Sequence, residues 1–123
     1  MYLQIIMQAT ILVIDDEIIS RRTIEALLDS EYTLVFAEDG KQGLERAHAI
    51  IPNLVLLDVM MKGMNGFEVC RRLRANFTDL PIVMVTGWDD PIARTRCLEL
   101  GASEIVSKPF KREDLCKVIN RFL

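Results

Sequence analysis

Short apolar runs alternate along the chain with stretches in which apolar residues recur every three or four positions. The runs are Thr10–Ile14, Thr33–Ala37, Leu54–Leu57, Ile82–Val85 and Glu104–Ser107. Val, Ile and Leu dominate most of them, which suits strands buried on both faces of a parallel sheet. The spaced stretches place Ile24, Leu27 and Leu28 on one stripe and Phe67, Cys70, Leu73 and Phe77 on another. Ala93, Cys97 and Leu100 form a further stripe, and Leu115, Val118, Ile119 and Phe122 the last. These spacings are helical. The helix near Gln42–Ile51 has the weakest signal, because Gly43 interrupts it. Asp90 before Pro91 is a strong helix start, a capping side chain followed by a ring that needs no N–H bond. Gly101 stands where the fourth helix should stop. Strand followed by helix recurs at a period of roughly 20 to 25 residues. The pattern predicts a single doubly wound α/β domain, with right-handed crossovers and helices on both faces of the sheet.

Composition narrows the partners. The 123 residues fit one domain, and half of them are hydrophobic, enough for a sizeable core. The 15 basic and 18 acidic residues are interspersed and give a net charge of -3. That balance argues against direct nucleic-acid binding, which rests on basic contacts to phosphate. No apolar run approaches a membrane span. Residues 1–8 lack a basic start and a cleavage site, and read as an N-terminal extension leading into the first strand, with Met7 an alternative start. Cys70, Cys97 and Cys116 are odd in number and sit in helical patterns, as expected of reduced thiols in a cytoplasmic protein. The lone His48 has no neighbour that would complete a zinc site.

In doubly wound sheets, ligands bind at the carboxyl ends of the strands. Asp15, Asp16 and Glu17 follow the first run, Asp58 follows the third, Thr86 ends the fourth and Lys108 the fifth. Each alone has an ordinary reading. Acids favour helix starts, and a lone lysine is usually solvated. Together, leaving Glu17 aside, they bring three carboxylates, a hydroxyl and an ammonium to one edge. Three close carboxylates repel one another, and a hard divalent cation such as Mg²⁺ relieves that repulsion. An aspartate beside such a cation can attack phosphorus and form an acyl phosphate. A lysine and a hydroxyl can then bind the phosphoryl oxygens.

Five motifs in order resemble the receiver domains of bacterial two-component response regulators, of the chemotaxis-regulator type. They are Ile11–Glu17, Leu56–Met61, Met64–Gly66, Pro81–Gly87, and Gly101–Ser103 followed by Lys108–Phe110. The resemblance covers nearly the whole chain. It implies a five-stranded sheet in the order 2-1-3-4-5 and Asp58 as phosphoacceptor. It also implies direct Mg²⁺ binding by Asp16, Asp58 and the Met60 carbonyl, with Asp15 acting largely through water; Mn²⁺ or another divalent cation could substitute. Thr86 and Lys108 would hold the phosphoryl group, with a cis bond between Lys108 and Pro109. A histidine kinase or histidine phosphotransfer protein would be the donor. The output, whether an attached domain or a docking partner, would be reached through the face of helix 4, strand 5 and helix 5. Phosphorylation would shift an equilibrium that involves Thr86 and the position of Ile105.

Four positions depart from that pattern. Lys62 stands where proline is usual, Asn65 where aspartate is common, and Gly87 where alanine is usual. Ile105 takes the place of the aromatic switch residue, so a tyrosine-style rotamer switch is not available. Met60 and Trp88 occupy positions that flank the path of attacking water, and both are large and apolar, which should slow hydrolysis. A flavodoxin-type binder would want a phosphate loop where this chain has Asp15-Asp16-Glu17. An aspartyl hydrolase would want an acid two residues after its nucleophile, where Met60 stands. The reading is therefore a signalling switch without turnover of external substrates. The kinase, the output, the oligomeric state and any extension to a longer protein are not legible in these residues.

Overall fold

The computed structural model describes residues 8–28 and 30–123. Residues 1–7 of the expected N-terminal extension lie outside the described residues. Five parallel strands form one sheet: β1 (Thr10–Ile14), β2 (Thr33–Ala37), β3 (Leu54–Leu57), β4 (Ile82–Thr86) and β5 (Glu104–Ser107). They lie in the order β2-β1-β3-β4-β5, as the resemblance implies. The connecting helices are α1 (Ile18–Leu28), α2 (Gly40–Ile50), α3 (Gly66–Asn76), α4 (Pro91–Glu99) and α5 (Arg112–Phe122).

The alternation of side chains along the strands builds two cores. Ile11 and Val13 of β1 join Leu54 and Leu56 of β3 and meet Ile24 and Leu28 of α1 and Leu115 and Ile119 of α5. Leu12 and Ile14 join Val55 and Leu57 on the opposite face, where Ala47 of α2, Phe67 and Leu73 of α3 and Cys97 of α4 cover them. All four residues of β3 are buried, which explains a continuous apolar run with no polar alternation.

The helix with the weakest sequence signal is unbroken from Gly40 to Ile50. Asp39 caps it by accepting from the Gln42 N–H at 2.7 Å. Gly43 is present for packing: a Cβ there would lie 2.6 Å from Ile14 Cδ1. The helix forgoes about 1 kcal/mol of intrinsic propensity, and close seating on β1 offsets it. Phe77 and Leu100, assigned to helical stripes, are instead the residues that terminate α3 and α4. Asp90 caps α4 as expected, accepting from the Ala93 N–H at 2.7 Å, and Gly101 leaves the helix with φ +107°.

Candidate functional site

Strand register sets the site. Ile14 pairs with Leu57, and the Asp58 N–H donates to the Ile14 carbonyl at 3.0 Å. Asp15, next after Ile14, therefore lies beside Asp58. On the other flank, Thr86 pairs with Ser107, and the Lys108 N–H donates to the Thr86 carbonyl at 2.9 Å. Four strand ends thus converge.

The side chains follow. Asp15, Asp58 and Thr86 are buried, at 2%, 4% and 1% exposure. The Lys108 ammonium donates to Asp15 Oδ2 at 3.1 Å and lies 3.8 Å from Asp58 Oδ2. Its peptide bond to Pro109 is cis. Asp15, Asp16, Glu17 and Asp58 each bring a carboxylate oxygen within 4.8 Å of the others. Burial pushes the Asp58 carboxyl up to about 6; Lys108 pulls it down, Asp15 pushes it up, and the main chain of Met60 and Val59 pulls it down. An all-oxygen set with surplus negative charge fits a hard divalent cation. The mouth is an open acidic cleft bordered by Asp16, Glu17, Glu38, Asp39, Met60 and Lys62.

The sequence-predicted side chains do not all converge. Ile105 is buried among the apolar residues under α3 and α4, opposite Met84. Trp88 is 43% exposed and Met60 61%. The Trp88 indole packs edge-on against Phe67 and donates to Asp90 Oδ2 at 3.1 Å, so it is held beside the site by α3 and α4. Its main-chain N–H donates to Thr86 Oγ1 at 3.0 Å.

Several contributors escaped sequence reasoning. Ser20 Oγ accepts from the Lys108 ammonium at 3.2 Å. Arg21 donates to the Asp15 carbonyl at 2.7 Å. Glu17, set aside earlier, joins the carboxylate cluster. Ser20 and Arg21 lie on the inward turn of α1, and nothing in their residue types marks them. Glu17 could have been found from its place in the acidic run.

A family model described as the response regulator receiver domain matches residues 11–120. This chain is a member of that family. Receiver domains act as phosphorylation-dependent switches, bind Mg²⁺ at an acidic pocket, and interact with histidine kinases or phosphotransfer proteins and with output domains. The receiver is 45% identical over 106 residues to a probable transcriptional regulator, ycf27, of Cyanophora paradoxa, covering 85% of this chain and 44% of that protein. It is 44% identical over 106 residues to the response regulator PleD of Caulobacter vibrioides, covering 84% of this chain and 23% of that protein. The chain thus spans less than half the length of either relative. Among solved structures, the chemotaxis protein CheY4 of Vibrio cholerae superposes with a TM-score of 0.90 at 31% identity, covering 94% of this chain and 99% of that one. Among the described residues of the receiver, no helix is long and apolar enough to cross a membrane.

The receiver's thiols stand apart from this chemistry. Cys70 and Cys97 are buried and Cys116 is half-buried, all three unbridged. Burial pushes the Cys70 thiol up to about 11, which keeps it protonated and unreactive.

Proposed function

We propose that the whole of residues 1–123 is one receiver unit in which Asp58 is the phosphoacceptor. The observation that carries this is a buried Asp58 carboxylate 3.8 Å from the Lys108 ammonium, inside a cluster of acids. An Asp58 oxygen attacks the phosphorus of a phosphohistidine on a kinase or phosphotransfer protein. The P–O bond forms as the P–N bond breaks, and the imidazole leaves as a neutral ring after taking a proton. Asp16, Asp58 and the Met60 carbonyl would hold Mg²⁺ or Mn²⁺, with Asp15 reached through water. When bound, the cation offsets the negative charge of carboxylate and phosphoryl group together. Lys108 neutralises the remaining phosphoryl charge, and the Thr86 hydroxyl donates to a phosphoryl oxygen.

No external substrate is turned over: the same site is emptied by water, which returns Asp58 and releases inorganic phosphate. Met60 and Trp88 border the entry of that water, and neither side chain can orient it. The phosphorylated state is read by an output domain or docking partner at the face of α4, β5 and α5, in the cytoplasm and without direct contact to nucleic acid. The interspersed charge of the chain supports that last point.

Acetyl phosphate with Mg²⁺ is expected to add one hydroxylamine-labile phosphoryl group, absent in Asp58→Asn. Undiminished labelling of that variant refutes the assignment. The purified phosphoprotein also tests the water path. Trp88→Glu or Met60→Asn should shorten its lifetime, within the ~10²–10⁴-fold range of general-base assistance. Decay at the wild-type rate in both variants removes these side chains from the path.

A further inference from the structure

Of the acids in the cluster, Asp15 and Asp58 lie within reach of the Lys108 ammonium, and the Glu17 N–H also donates to Asp15 Oδ1 at 3.0 Å. Asp16 is held differently. Its Oδ2 accepts from the main-chain N–H of Lys62, 46 residues away in sequence, at 3.0 Å. That bond ties the end of β1 to the loop between β3 and α3, the same loop that carries the Met60 carbonyl. Position 62 is also where this chain departs from the proline usual in the family, and proline has no N–H to give.

We infer that the Lys62 main-chain N–H is a positioning group for the metal site: it fixes the Asp16 carboxylate and so raises the affinity for a divalent cation. The inference rests on the proposed Mg²⁺ role of Asp16 and deepens it. The physical reason is preorganisation. A half-exposed aspartate otherwise samples several rotamers, and cation binding must select one of them. A hydrogen bond to one carboxylate oxygen makes that selection in advance and leaves the second oxygen for the cation. Outer-shell bonds of this kind typically change metal affinity ~10–100-fold. The Lys62 side chain works in the other direction, since Lys62 lines the acidic cleft and its positive charge disfavours a cation there. The two effects belong to different atoms of one residue and can be separated.

The test is titration of the whole chain with MgCl₂ alone, followed by calorimetry and by amide spectra, in Lys62→Ala and Lys62→Pro. Both variants remove the ammonium, and the alanine variant retains the N–H. Lys62→Ala should bind Mg²⁺ at least as tightly as the wild type, and Lys62→Pro about tenfold more weakly than Lys62→Ala. A variant in which an ester replaces only the amide of Lys62 should weaken binding in the same direction, which guards against a proline-specific change in the loop. Equal affinities for the alanine, proline and ester variants overturn the role of the N–H and leave the metal site standing. Failure of the wild-type chain to bind Mg²⁺ at all overturns the metal reading beneath it.

Discussion

At neutral pH the Asp58 carboxyl is ionised in a place where burial and Asp15 both favour its protonated form. Its value of about 6, against an ordinary 3.8, means that the native state binds the proton more tightly than the unfolded chain. The sign follows from linkage. For this group, metal-free stability is greatest below about pH 3.8, falls as pH rises towards 6, and is flat above. The difference between 3.8 and about 6 corresponds to about 3 kcal/mol at pH 7. Asp58→Asn removes the charge and keeps the shape. In metal-free buffer at pH 7 it should be more stable than the wild type by about 1–3 kcal/mol, with the difference vanishing near pH 4. Urea unfolding across that pH range measures it. An asparagine variant less stable than wild type at pH 7 contradicts the account.

Between elements, closeness is set by glycines. A Cβ on Gly66 would lie 2.1 Å from the Asp58 carbonyl oxygen and 2.6 Å from Val59 Cα, so α3 starts against the main chain of the loop that begins at Asp58. Neither neighbour is a flexible side chain. Gly66→Ala should therefore cost about 3 kcal/mol. Gly87, beside Thr86, faces open space. Gly87→Ala should be neutral or stabilising by up to about 1 kcal/mol, through the unfolded chain. Thermal unfolding of the pair checks both; equal effects would mean that the close approach at Gly66 is not real. Such packing is what sequence patterns hide. Strand spans and the two ends of α4 were legible because apolar runs, Asp90-Pro91 and Gly101 are local signals. Gly43 read as a defect in α2, because its reason, the methyl of Ile14, lies 29 positions away. The site was legible to the same extent. Asp15, Asp16, Asp58, Thr86 and Lys108 stand at strand ends and are recognisable by type and position. Ser20, Arg21 and the Lys62 N–H act through helix phase or the main chain, which leave no mark in residue type.

Across the whole molecule, one series of polar contacts leads away from the site. Ser107 donates to Asp89, which Arg94 also holds at 2.7 Å. Arg94 lies 3.8 Å from Glu104, and Arg121 donates to Glu104 at 3.0 Å. The series joins the loop after Thr86 to α4, β5 and α5. The Arg94 and Ser107 bonds hold the Asp89 carboxyl below the usual range. Beryllium fluoride, which mimics the phosphoryl group, can shift the domain only by contacting its two states differently. With Mg²⁺ it should move backbone amide signals out to Arg121, and more weakly around Ile105, whose side chain has no hydroxyl to exchange between water and interior. Shifts confined to the residues around Asp58 would end the coupling idea. The seating of Trp88 has a practical consequence for such experiments. It is the one tryptophan in the sequence, half in solvent, and its main-chain N–H donates to the Thr86 hydroxyl proposed to meet the phosphoryl group. A turn of Thr86 takes away that main-chain partner and so can shift residue 88, moving the indole against Phe67 and Asp90. The chain therefore carries its own fluorophore for the switching step, and stopped-flow emission can time that step without a label.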